Sequence, residues 1–147
     1  INMADVNAAI GLAQIRKYDE LLKERKRVFQ MYDDAFSKCN WAILPPKEKD
    51  GRETSYHLYA LRIKDFTEEK RDAMIDEIAK QEVAVNVHFI PMSMLSFFKQ
   101  QGYNIADYPV AYNNYKREIS LPIYPQLTDE QVRYVIDAVI TAYEKVK

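Results

Sequence analysis

Two histidines, a lone cysteine, an asparagine ahead of a helical run and a few paired acids are the side chains of this sequence with chemistry to offer. His88 ends the run Val83-Ala84-Val85-Asn86-Val87-His88-Phe89-Ile90, just before Pro91, where the chain must turn. Functional groups are common at strand ends and in the loops after them, and an imidazole there can bind or transfer a proton near neutral pH. The competing reading is a half-buried histidine bonded to backbone. His57 lies among Tyr56, Leu58 and Tyr59, which predicts core packing inside a strand. Asn2 precedes a helix, where its amide can cap backbone N–H groups or help to hold an anion such as phosphate. The pairs Glu68-Glu69 and Asp129-Glu130 stand at expected helix starts, where the helix dipole explains them. Cys39 has no adjacent histidine or cluster of cations, so an inert thiol is expected. No nucleophile–base pair can be assembled from local spacing.

The bulk properties narrow the classes further. At 147 residues the chain is long enough for one domain with its own core. A net charge of −1 gives no electrostatic case for nucleic acid or a membrane surface as a general partner. No apolar run approaches the roughly 20 residues of a bilayer span, and no basic-then-apolar start reads as a signal peptide; the cytoplasm is the expected compartment. One Cys and two separated His make a zinc site or an internal disulfide unexpected. The three glycines stand alone, at Gly11, Gly51 and Gly102, so neither common Gly-rich phosphate loop is present. Any grip on a phosphate must come from elsewhere.

These residues need elements to position them. Apolar residues from Met3 to about Phe36 recur near a 3.6 period, which predicts a long helix or two nearly continuous ones. Its first turns are rich in small residues (Ala4, Ala8, Ala9, Gly11, Ala13), which invite close approach by another helix or subunit. The charged run Lys23 to Arg27 reads as a solvated face. Trp41 to Leu44 is a short strand candidate stopped by Pro45-Pro46, residues 47–52 a polar loop, and Ser55 to Ile63 a strand. Thr67 caps a helix that ends near Gln81. Val83 to Ile90 is a further strand, followed by helices at about 93–101 and 108–117, the latter entered at Pro109. Glu118 to Leu121 is a last strand. Thr128-Asp129-Glu130-Gln131 is a capping box opening the final helix. The order predicts an α+β fold: one small, largely antiparallel sheet with helices on one face, preceded by the long N-terminal helix.

Four segments together resemble the DegT/DnrJ/StrS family of pyridoxal-phosphate-dependent sugar aminotransferases. They are Asn2 to Gln14, Tyr56-His57-Leu58-Tyr59, Val87-His88-Phe89-Ile90-Pro91, and Ile119 to Thr128, in the family's order and spanning nearly the whole chain. The resemblance implies the C-terminal part of a fold-type-I enzyme. Residues 1–36 would be the helix leaving a large domain, and 37–147 the small α/β domain. Such enzymes work as homodimers with active sites at the subunit boundary, and pass an amino group, typically from glutamate, to a keto group on a nucleotide-linked sugar.

By the same resemblance, Asn2 falls in the segment that reaches the neighbouring subunit's cofactor phosphate. His88 and Phe89 fall in the segment lining the sugar-substrate side. No lysine here matches the family's cofactor-lysine motif, so the Schiff-base lysine is expected upstream, no catalytic residue is assigned, and the fragment alone is expected to be inactive. The start at Ile1 fits a truncated or cleaved product. Two departures bear on the sugar: Ser93 stands where many relatives have a second histidine, and Tyr112 where many have an acid. Two other readings stay open, a sugar dehydratase on the same scaffold and a non-catalytic dimerisation or binding module.

Overall fold

The computed structural model describes residues 2–147. Its elements are α1 (Asp5–Ile15), α2 (Tyr18–Phe36), β1 (Ala42–Ile43), β2 (Glu48–Lys49), β3 (Arg52–Glu53), β4 (Tyr59–Ile63), α3 (Glu68–Ala79), α4 (Ser96–Gln100), α5 (Pro109–Tyr115), β5 (Glu118–Leu121) and α6 (Asp129–Val146). Three strands form an antiparallel sheet in the order β1–β4–β5. Register is set by alternation: Tyr59, Leu61 and Ile63 point into the core, and Tyr59 and Leu61 lie opposite Leu121 and Ile119 on the same face. The expected α+β layer is present, with α2, α3 and α6 over that face.

The core is built where amphipathic stripes meet. Helix α2 buries Val28, Phe29, Tyr32, Asp33 and Phe36. The rings of Phe29, Tyr32 and Phe36 surround that of Tyr59 at centroid distances of 4.8, 4.9 and 6.3 Å. Such tilted and edge-on aromatic contacts add to simple area burial. Helix α6 buries Val132, Val135, Ile136, Ala138, Val139 and Ala142, and Tyr143 stacks on Trp41 at 4.2 Å. Both predicted caps form: the Thr67 side chain accepts from Lys70 N–H, and Thr128 and Gln131 make the reciprocal capping box.

Four expectations are corrected. Of the two forms expected for the N-terminal segment, it takes the two nearly continuous helices and not the one long helix, because the helical ladder breaks at Arg16–Lys17, where Lys17 N–H turns to Gln14 O. Helix α1 buries no side chain, so no packing holds it in line with α2. The predicted loop at 47–52 contains a two-residue hairpin between β2 and β3, with Asp50 and Gly51 at φ 54° and 75°. Asp-Gly is a favoured sequence for such a turn, since both positions need positive φ. Next, β4 starts at Tyr59 rather than Ser55, and His57 is exposed in the preceding loop rather than packed in the core. Tyr56, at φ 53°, turns the chain there and tucks its own ring against Phe29 at 5.2 Å.

The fourth correction concerns residues 83–90, which form no strand. They touch the sheet through a single antiparallel bridge, Asn86 with Ser120. In an antiparallel ladder, hydrogen-bonded pairs recur every second residue. One flanking pair would oppose Ala84 to Pro122, which has no N–H to give. The other would oppose His88 to Glu118, and there the His88 N–H is taken by the Glu118 side chain instead.

Candidate active site

The edge of β5 gathers the polar groups of the fold. Glu118 and Ser120 alternate with Ile119 and Leu121, so they share the face of the sheet turned away from the aromatic core. Both are buried, at 6% and 4% exposure. One Glu118 oxygen accepts from His88 N–H at 3.0 Å, and the other accepts from the Ser120 hydroxyl. Burial raises the Glu118 carboxyl above its usual range, opposed by the Ser120 and His88 hydrogen bonds and the nearby charges of His88 and Arg71. On the neighbouring strand, Arg62 lies opposite Glu118 and donates to Asn114 Oδ1 of α5 at 2.8 Å.

Arg71 of α3 is also buried. It donates to Tyr115 O at 2.7 Å, pairs with Asp72 at 2.5 Å, and lies over the Tyr115 ring at 4.8 Å. These contacts tie α3 to α5.

His88 is half-buried, and its Nδ1 is buried without a hydrogen-bond partner among the described residues. Leaving such an atom unmatched is costly. The His88–Phe89 peptide is cis, and the two rings meet edge to face at 4.6 Å. Phe89 is 73% exposed, and Ile90, Met92, Leu95 and Phe97 after it also face solvent. Ser93, by contrast, is buried and lines a cavity of about 370 Å³ with Pro91, Met92, Phe98, Tyr103 and Tyr108. This face is apolar with a few polar groups at its edge, as small-molecule sites commonly are.

Asn2 lies in the chain ahead of α1 and is exposed, but it caps nothing: the N-cap position is Ala4, with no side-chain cap. No hydrogen bond among the described residues joins Asn2 to His88 or Phe89. Asn2 stands before α1, and His88 and Phe89 stand at the edge of the sheet. Sequence reasoning missed Glu118. Its signal was an acid two residues before a serine on one face of an otherwise apolar strand.

Two further readings concern cofactor chemistry. Among the described residues no group of three or more His, Cys, Asp or Glu could hold a metal ion. Cys39 is half-buried, and burial pushes its thiol up, away from reactivity. A lysine that forms a Schiff base needs a lowered pKa, which desolvation supplies. Among the lysines whose side chains are described, none is buried. Lys26, Lys80 and Lys147 are instead raised, each first by a hydrogen bond to a carboxylate: Glu53, Glu77 and Glu144. No helix of the described chain is long and apolar enough to cross a membrane.

Comparison with known proteins is consistent across sequence and structure. The model of the DegT/DnrJ/EryC1/StrS aminotransferase family matches residues 1–140. The spore coat polysaccharide biosynthesis protein SpsC of Bacillus subtilis is 38% identical over 145 residues, covering 95% of this chain and 36% of that protein. The UDP-4-amino-4,6-dideoxy-N-acetyl-beta-L-altrosamine transaminase of Helicobacter pylori is 31% identical over 97% of this chain and 38% of its own length. Among solved structures, the PMP-form of Spr1654 from Streptococcus pneumoniae superposes with a TM-score of 0.94 at 36% identity, over 99% of this chain and 36% of that one. Helicobacter pylori PseC, an aminotransferase involved in the biosynthesis of pseudoaminic acid, gives 0.85 at 26% identity, over 95% and 37%. The chain thus spans just over a third of the length of these relatives.

Proposed function

The chain belongs to the DegT/DnrJ/EryC1/StrS aminotransferase family, and on that premise we propose that it is the C-terminal part of a sugar aminotransferase using pyridoxal phosphate. The parent passes an amino group from glutamate to a keto group on a nucleotide-linked sugar. One observation carries the assignment of the sugar side: the half-buried His88 imidazole meets the exposed Phe89 ring edge to face, on an edge tied down by Glu118. An imidazole there can hydrogen-bond a sugar hydroxyl, and the aromatic ring can lie against the apolar side of the sugar.

Pyridoxal phosphate, when bound, supplies the electron sink for amino-group transfer. The lysine that holds it belongs to the rest of the parent, because the described lysines of this chain lie in water or in ion pairs. Asn2 serves the cofactor from a distance, donating its amide N–H groups to the phosphate of the neighbouring subunit. Its exposure supports this, as does the neighbouring helix α1, which buries nothing and leaves Val6, Ile10, Leu12 and Ile15 open for a partner surface. The parent is accordingly a homodimer, and the 147-residue chain alone is inactive.

The test is glutamate-dependent amination of a panel of nucleotide-linked keto-sugars by the parent protein, read by mass spectrometry. An aminated sugar supports the proposal. A dehydrated sugar with no nitrogen gained overturns it in favour of a dehydratase. Incubated with pyridoxal phosphate and borohydride, this chain should show no stoichiometric adduct at one lysine; such an adduct would sink the claim that the lysine lies elsewhere.

A further inference from the structure

Most strand-like segments at a sheet edge are held by main-chain pairs, but the peptide carrying His88 is held by a carboxylate. Asn86 exchanges two main-chain hydrogen bonds with Ser120, at 3.2 and 2.7 Å. Two residues on, Oε2 of Glu118 takes the place of the main-chain carbonyl and accepts the His88 N–H at 3.0 Å. Its second oxygen is held by the Ser120 hydroxyl, which fixes the carboxylate plane. Burying a carboxylate is costly, and a continued main-chain ladder would satisfy the same N–H without it. What the substitution permits is a departure from strand geometry. Successive strand residues point to opposite faces, whereas here the His88 and Phe89 rings lie together, 4.6 Å apart.

We infer that Glu118 is a positioning residue for the sugar side of the site: it holds the His88 peptide so that the imidazole and the Phe89 ring present one surface to the substrate. Glu118 itself touches no substrate. The inference rests on the reading of His88 and Phe89 as substrate-facing, and its test separates the two. The bond is made by geometry rather than charge. Glutamine in its place can accept from His88 N–H and donate to the Ser120 oxygen, since a hydroxyl both donates and accepts. Aspartate, one methylene shorter, reaches neither.

Two measurements decide it. In this 147-residue chain, amide hydrogen exchange at His88 should accelerate about tenfold or more in E118A and E118D and return toward the original rate in E118Q, with β4 and α6 amides unchanged. In the parent holoenzyme, E118A and E118D should raise KM for the keto-sugar about tenfold with the glutamate half-reaction unchanged, and E118Q should restore it. E118D serves if the alanine protein does not fold. Unchanged His88 exchange in both variants overturns the inference. So does an equal loss in both half-reactions, which marks a merely structural role. If H88A raises the sugar KM and E118A does not, the positioning role falls while the substrate-facing reading survives. If neither raises it, that reading falls and takes the positioning role with it.

Discussion

Removing one oxygen from the core, Tyr59→Phe, is a sharp test of how the sheet is joined to α2. The Tyr59 hydroxyl donates to Asp33 Oδ1 at 2.8 Å, and both residues are buried. Asp33 keeps a second partner, Lys47 Nζ on Oδ2 at 2.7 Å, so the substitution leaves the ion pair in place. The phenylalanine ring preserves the contacts with Phe29, Tyr32 and Phe36, so no cavity opens. What is lost is a hydrogen bond to a charged acceptor, worth about 1.5–3 kcal/mol. Unfolding entropy of about 2.1 cal/mol/K per residue amounts to about 0.3 kcal/mol/K for a chain of this size. Tm should therefore fall by about 5–10 °C in a calorimetric melt of the 147-residue chain.

The alkaline limb gives a second readout of the same substitution. Burial, then the Asp33 hydrogen bond, pushes the Tyr59 phenol far above its ordinary range, and burial does the same to Tyr32. The folded chain keeps these protons where the unfolded chain releases them. Stability is thus full below a pH of about 10 and falls above it, by about 1.4 kcal/mol per pH unit for each phenol. Tyr59→Phe should remove one of the two contributions. A Tm within 1 °C of the original, or an unchanged alkaline slope, would refute the reasoning.

Three further outcomes are expected. Thr128→Ala breaks the capping box of α6 and should cost about 1 kcal/mol in urea unfolding, with an unchanged m value. Hydrogen bonds from Lys145 and then Lys80 lower Glu77 to about 2, so its carboxyl should titrate near there by carbon NMR, and Lys145→Ala should raise that midpoint. Because the folded pKa is depressed, the stabilisation is present above the ordinary carboxylate range and is lost as pH falls toward about 2. His88→Ala in the parent should raise KM for the keto-sugar about tenfold while glutamate turnover holds; an unchanged sugar KM would remove His88 from the substrate side.

Elements with strong local signals are legible in the residues themselves. The Thr67 and Thr128 caps, the Pro109 helix start and the apolar stripes of α2 and α6 each carry their instruction within a few residues, and each forms accordingly. The hairpin at 48–53 carries a turn signal in Asp50-Gly51, but its polar composition reads as a loop. Elsewhere the outcome turns on geometry that residue types alone do not show. Residues 83–90 have strand composition, yet Pro122 and the Glu118 side chain withhold the ladder they need. His57 has apolar neighbours, yet the turn at Tyr56 puts it in solvent.

The four motifs and their order are enough to identify the family, because motif identity depends only on residue type and spacing. They also draw attention to His88 and Phe89. Only the tertiary structure could bring β5 beside residues 83–90 and reveal that a buried carboxylate 30 residues away in sequence holds the His88 peptide. That contact depends on sheet register, on which face Glu118 takes, and on a proline that cannot donate, none of which is a local property of the segment it shapes.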